Sequence, residues 1–139
     1  MSVLVLIGRI LFSIQFLFSG FGHFAQREMM AGYAKSKGVP AAGAAVPLSG
    51  LLLLVGAVFV LVGIWPDLGA LLLVIFLVPT AFLMHAFWNE SEPMARMNEQ
   101  TQFTKDMALA GAALIMFAVF ANLGASLGLV VVGPLISLS

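Results

Sequence analysis

Residues 41–65 read AAGAAVPLSGLLLLVGAVFVLVGIW, and the uncharged run around them extends from Gly38 to Pro66. A helix crosses the hydrocarbon core of a bilayer with roughly 20 apolar residues. Backbone amides in that core must be satisfied within the segment or within a closed barrel. The run is too long for a barrel strand and does not alternate, so it predicts a transmembrane helix. Val3–Phe24, Leu68–Trp88 and Met107–Leu123 have the same character. Together they predict an all-α membrane protein, a four-transmembrane-helix antiparallel bundle with residues 1–139 as a single domain.

Composition agrees. Apolar residues make up 62% of the chain and charged residues 9%, against about a quarter charged in a soluble domain. The formal net charge is zero and no basic run occurs, so no nucleic-acid partner is expected. There is no cysteine, which removes thiol nucleophiles, disulfide exchange and cysteine-held iron–sulfur clusters from this chain. The N-terminus lacks a basic n-region and a clear small-x-small cleavage site, so the first stretch reads as a span rather than a leader.

The polar punctuation sets the topology. Helices are expected near Val3–Phe24, Ala41–Ile64, Leu68–Trp88 and Lys105–Asn122. The turn Trp65-Pro66-Asp67 joins the second and third, with Asp67 as a cap and Trp65 at the interface. Within Ala25–Pro40, Met29, Met30, Tyr33 and Ala34 alternate with Arg27, Glu28, Lys35 and Lys37 at helical spacing. This predicts a short interfacial amphipathic helix between helices 1 and 2. Asn89–Asp106 reads as a solvated loop that includes Glu90, Glu92 and Glu99. Arg27, Lys35, Lys37, Arg96 and Lys105 all lie in these two connections, so the positive-inside rule places them in the cytoplasm and both termini outside. Beyond Met107 no charge follows. The helix should end near Asn122–Gly128, leaving an apolar tail through Leu138 that lies at the interface or packs on a neighbouring subunit. Gly124 and Gly128 have the small-residue spacing of packed membrane helices.

Strongly polar groups inside spans are costly and each calls for a partner or a function. Arg9 either snorkels or pairs with Asp67, or else anchors an anionic headgroup or a carbonyl-bearing ligand. Gln15 fits a helix–helix hydrogen bond. Ser13, Ser19, Ser49 and Thr80 read as packing and back-bonding residues, and Pro79 as a kink that frees the carbonyl of Ile75. His23 and His85 fall near the ends of helices 1 and 3 at similar depth, with Gln26, Asn89, Gln102 and Lys105 on the same membrane face. Such groups can converge on a shallow pocket for the head of a quinone or lipid, with histidine donating to a carbonyl or shuttling a proton. The competing reading is two ordinary interfacial histidines. Haem between them is the weakest, since only one pair exists and nothing else asks for iron. No metal-hydrolase motif occurs.

The residues then resemble a known family. Gly8-Arg9-Ile10-Leu11 with Phe18-Ser19-Gly20-Phe21-Gly22-His23-Phe24 is similar to the first helix of DoxX-family membrane proteins. Lys37-Gly38-Val39-Pro40, Leu61-Val62-Gly63, His85-Ala86-Phe87-Trp88, Gln102 to Leu109 and Gly133 to Leu138 resemble the family as well. Many relatives carry a glutamate in helix 2 where this chain has the leucines 51–54, so no role of that acid transfers here. The resemblance implies a subunit or accessory protein of a quinone-linked redox or oxidative-stress membrane system, in the bacterial inner membrane. No intrinsic cofactor is expected, and a quinone or lipid is the expected ligand. Expected partners are membrane lipid and other membrane or peripheral redox proteins, with a second copy of the chain admissible. The alternatives are a small-molecule or lipid carrier or channel, and a structural anchor that docks a soluble enzyme.

Overall fold

The computed structural model describes residues 2–136 and 138. The tail position Ser137, part of the family-like ending, lies outside the described residues. Five helices follow in order: α1 (Ser2–Ala25), α2 (Arg27–Ser36), α3 (Ala42–Val62), α4 (Pro66–Met84) and α5 (Pro93–Leu123). Of these, α1, α3, α4 and α5 are long and apolar enough to cross a membrane. The fold is the expected all-α, four-span antiparallel bundle, with α2 as the short helix between the first two spans.

In chain order each span packs on the next: α1 on α3, α3 on α4, α4 on α5. Lipid tails are as apolar as leucine, so close packing rather than water exclusion holds such helices together. Phe16, Leu53, Ala57, Leu73, Leu77 and Ala113 form the centre. At the α1–α3 crossing, a Cβ on Gly50 would sit 2.7 Å from that of His23, so only glycine lets the backbones meet there. On α2, Ala34 is buried, and with Met30 and Ala31 it packs against Ala42 and Val46 at the start of α3. Pro47 has no N–H to give Gly43, and the freed Gly43 carbonyl accepts from Arg27 Nη2 at 3.4 Å.

Four expectations are corrected. First, α5 begins at Pro93, not near Lys105. Its 31 residues make a rod of about 46 Å at about 1.5 Å each, longer than the ~30 Å hydrocarbon core. The charged run is therefore a helix projecting beyond the bilayer. Glu92 starts it by accepting from Met94 N at 3.0 Å and Ala95 N at 2.6 Å, with Pro93 at the first helical position. Second, α4 stops at Met84. Phe87 N bonds His85 O at 2.8 Å, and this tight turn swings Phe87 and Trp88 against Phe103 at 5.6 Å between centroids.

Third, the C-terminal segment packs on its own bundle. Val131 N and Val132 N both donate to Gly63 O, at 2.9 and 3.0 Å, and Trp65 N donates to Val132 O at 3.3 Å. Gly124 and Gly128 have φ of +55° and +71° and turn the chain after α5, rather than packing one helix on another. Fourth, Arg9 and Asp67 neither pair with each other nor reach the surface. Arg9 is 2% exposed and donates Nε to Val60 O (2.7 Å), Nη2 to Leu61 O (2.7 Å) and Nη1 to Leu129 O (2.8 Å). The cation thus sits at the negative end of α3, where the last-turn carbonyls lack intrahelical partners. Gly63 closes that helix at φ +78°, and a Cβ there would lie 2.6 Å from Arg9 Nη2. Asp67 makes no cap hydrogen bond to α4. Its fully buried carboxylate accepts from Leu135 N at 3.0 Å and Ile136 N at 2.7 Å, which straps the tail down.

Candidate functional site

At the opposite end, α1, α3, α4 and α5 surround a cavity of about 550 Å³, with α2 contributing from the side. That volume lies in the range of small-molecule sites. Leu48, Ile75 and Leu83 line it and are themselves exposed on membrane-length helices, so it opens toward lipid acyl chains. Pro79 lines it too, with Ile75, whose carbonyl has no proline N–H to meet.

Both histidines line this one cavity, as does Lys105. His23 is buried, donates Nδ1 to Ser19 O at 2.8 Å and meets the Phe76 ring edge-on at 5.9 Å. In that tautomer Nε2 keeps its lone pair. The structure does not bring Arg9, Gln26, Asn89 or Gln102 to the lining. Arg9 is at the other end of α3; Gln26 and Asn89 are exposed in the joints flanking α2 and α5; Gln102 accepts from Lys105 Nζ.

The place of Gln15 and Ser19 beside the expected His23, and the part of Glu99 and Asp106, escaped the sequence reading. Gln15, Ser19 and His23 fall on one face of α1 at four-residue steps, and all three line the cavity. Among the described residues Gln15 forms no side-chain hydrogen bond between helices; its amide is exposed along the cavity wall. Ser49 does back-bond, to Val46 O at 2.8 Å, while the buried Ser13 hydroxyl has no partner among the described residues.

The polar head of the cavity is a network centred on Glu99. Its carboxylate accepts from Tyr33 Oη at 2.8 Å, Lys37 Nζ at 3.2 Å and His85 Nδ1 at 2.7 Å. Lys37 also reaches Glu90 at 2.8 Å. On the inner side, His85 Nε2 lies 3.6 Å from Asp106 Oδ2. The Glu90 hydrogen bond, with that of Glu99, holds the Lys37 ammonium above its ordinary range. Burial, then the Glu99 hydrogen bond, pushes the Tyr33 phenol up. Glu99 and Asp106 are seven residues apart on α5, two turns of one face, a relation hidden while that stretch reads as a loop.

A sequence model of the DoxX family matches residues 4–86, more than half of the 139-residue chain. The chain belongs to the DoxX family. Comparison with curated proteins and with solved structures gives no match. Within this DoxX protein the match takes in α1 to α4 and both histidines, while Glu99, Lys105 and Asp106 lie beyond it on α5.

Proposed function

We propose that this DoxX membrane protein binds an amphiphile with a polar head, a quinone or a lipid of that shape, and acts as a subunit or accessory protein of a quinone-linked redox or oxidative-stress system in the bacterial inner membrane. The observation that carries this reading is the placement of His23 and His85, from two different spans, on one cavity walled by lipid-facing Leu48, Ile75 and Leu83. A head entering sideways meets His23 Nε2, the Gln15 amide and Lys105, and its tail remains among acyl chains. With no cysteine and one histidine pair, electrons would reside on the bound ligand or on a partner. A carrier or channel needs a passage to the other face. Fully buried Leu53, Val60 and Leu73 fill the bundle in that direction, which favours a binding site over a pore.

Lipid extraction of the purified protein, followed by mass spectrometry of the extract, tests this. Each hydrogen bond lost to a neutral head weakens binding by about 0.5–1.5 kcal/mol, roughly two- to tenfold. The double variant His23→Phe, His85→Phe is therefore expected to co-purify markedly less ligand per protein, with its helix content unchanged. Wild-type occupancy in a folded double variant would overturn the assignment.

A further inference from the structure

We propose that Glu99, His85 and Asp106 form a proton path from the aqueous end of α5 into the cavity, so that the ligand class is one whose head exchanges a proton, such as a quinol or phenol hydroxyl. The proposal rests on the ligand-binding reading above for the identity of the acceptor, but the path itself stands on geometry.

Glu99 is the outer member, beside the partly buried pair of Lys37 and Glu90. His85 is the middle member, with Nδ1 at 2.7 Å from Glu99 and Nε2 at 3.6 Å from Asp106. Asp106 is the inner member. Its side chain is 9% exposed, it lines the cavity, and no hydrogen bond reaches its carboxylate among the described residues. A neutral imidazole has one N–H, so it satisfies one carboxylate and turns a lone pair toward the other. A further proton taken up by the three groups would sit on the second ring nitrogen or on a carboxyl, between His85 and Asp106. That proton can sit at either end of the trio, which is what a relay needs. The other charged or titratable groups facing it are Tyr33 from α2, Lys37 and Glu90 from the connections, Lys105 on α5 and His23 across the cavity.

Each transfer exchanges one N–H or O–H bond for another and moves no electrons. A head hydroxyl gives its proton to the Asp106 carboxylate. Asp106 passes a proton to His85 Nε2, across a gap that a small rotation of the carboxylate closes. His85 releases the proton on Nδ1 to Glu99, which gives it to water. The same steps in reverse carry a proton inward. Histidine suits the middle position because one ring nitrogen can accept a proton while the other releases one.

Two measurements on the purified full-length protein test the proposal separately from ligand identity. In the ligand-free protein at one fixed pH, the ring ¹⁵N resonances of His85 should differ between wild type and Asp106→Asn. Identical ring resonances in the two proteins would show the path broken at the 3.6 Å gap. With decylubiquinol as probe, calorimetry in phosphate and in Tris should reveal protons exchanged on binding to wild type. Per mole of ligand bound, that exchange should be lost in Asp106→Asn. Equal proton exchange in both proteins would overturn the relay. No binding of decylubiquinol to either protein would instead remove the quinol-like ligand, and the path then stands or falls on the His85 ring resonances.

Discussion

Arg9→Leu is expected to destabilise the bundle by about 3–5 kcal/mol, since each acceptor left stranded in the interior costs about 1–3 kcal/mol. The leucine fills much of the volume but leaves three carbonyls, of Val60, Leu61 and Leu129, without their donor. Two belong to the last turn of α3 and the third to the C-terminal segment, so the substitution frays the helix end and loosens the tail together. Reversible unfolding in mixed micelles measures the loss. Amide exchange should report it locally, through faster exchange at Leu135 and Ile136, whose N–H groups are held by Asp67. A change below about 1 kcal/mol, that of an ordinary exposed polar contact, would contradict this role for Arg9.

The second large effect is expected at Glu99. Its side chain is 14% exposed and takes hydrogen bonds from Tyr33, Lys37 and His85. Glu99→Ala leaves Tyr33 Oη and His85 Nδ1, from two separate segments, without their acceptor, at about 1–3 kcal/mol, while Lys37 keeps Glu90. The strain falls on α2, which otherwise docks through Ala34 and its small apolar patch. Limited trypsin digestion should therefore cleave after Lys35 or Lys37 faster than in wild type. Glu90→Ala should do less, because Lys37 keeps Glu99. Equal cleavage rates in wild type and Glu99→Ala would show that α2 is held by packing alone.

The spans were legible in the sequence because a bilayer tolerates so few alternatives to a long apolar helix. Their ends were not, because charge marks the membrane boundary and not the end of a helix. Reading Asn89–Asp106 as a loop followed from its charge, yet Glu92 and Pro93 form a helix start that carries α5 out into water. That one misplacement hid Glu99 and Asp106, whose shared face exists only on a helix. The convergence of His23 and His85 was legible from their depth, whereas Gln26 and Asn89 share that depth but point out from the joints. Depth along the bilayer is written in the hydropathy profile; direction around a helix depends on which neighbour packs where. Arg9 shows the same limit. Its burial in a span was plain, but its partners are backbone carbonyls, which no side-chain motif reveals.

An amphiphilic head occupying the cavity at the ends of α1 and α4 would be open to photolabelling with an azido-quinone, followed by peptide mapping. Labels are expected on Gln15–His23 and on Ile75–His85, with labelling suppressed by excess decylubiquinone and reduced in the His23→Phe, His85→Phe variant. Labels spread over lipid-facing positions such as Leu4, Leu11 and Ile115, undiminished by competitor, would contradict it.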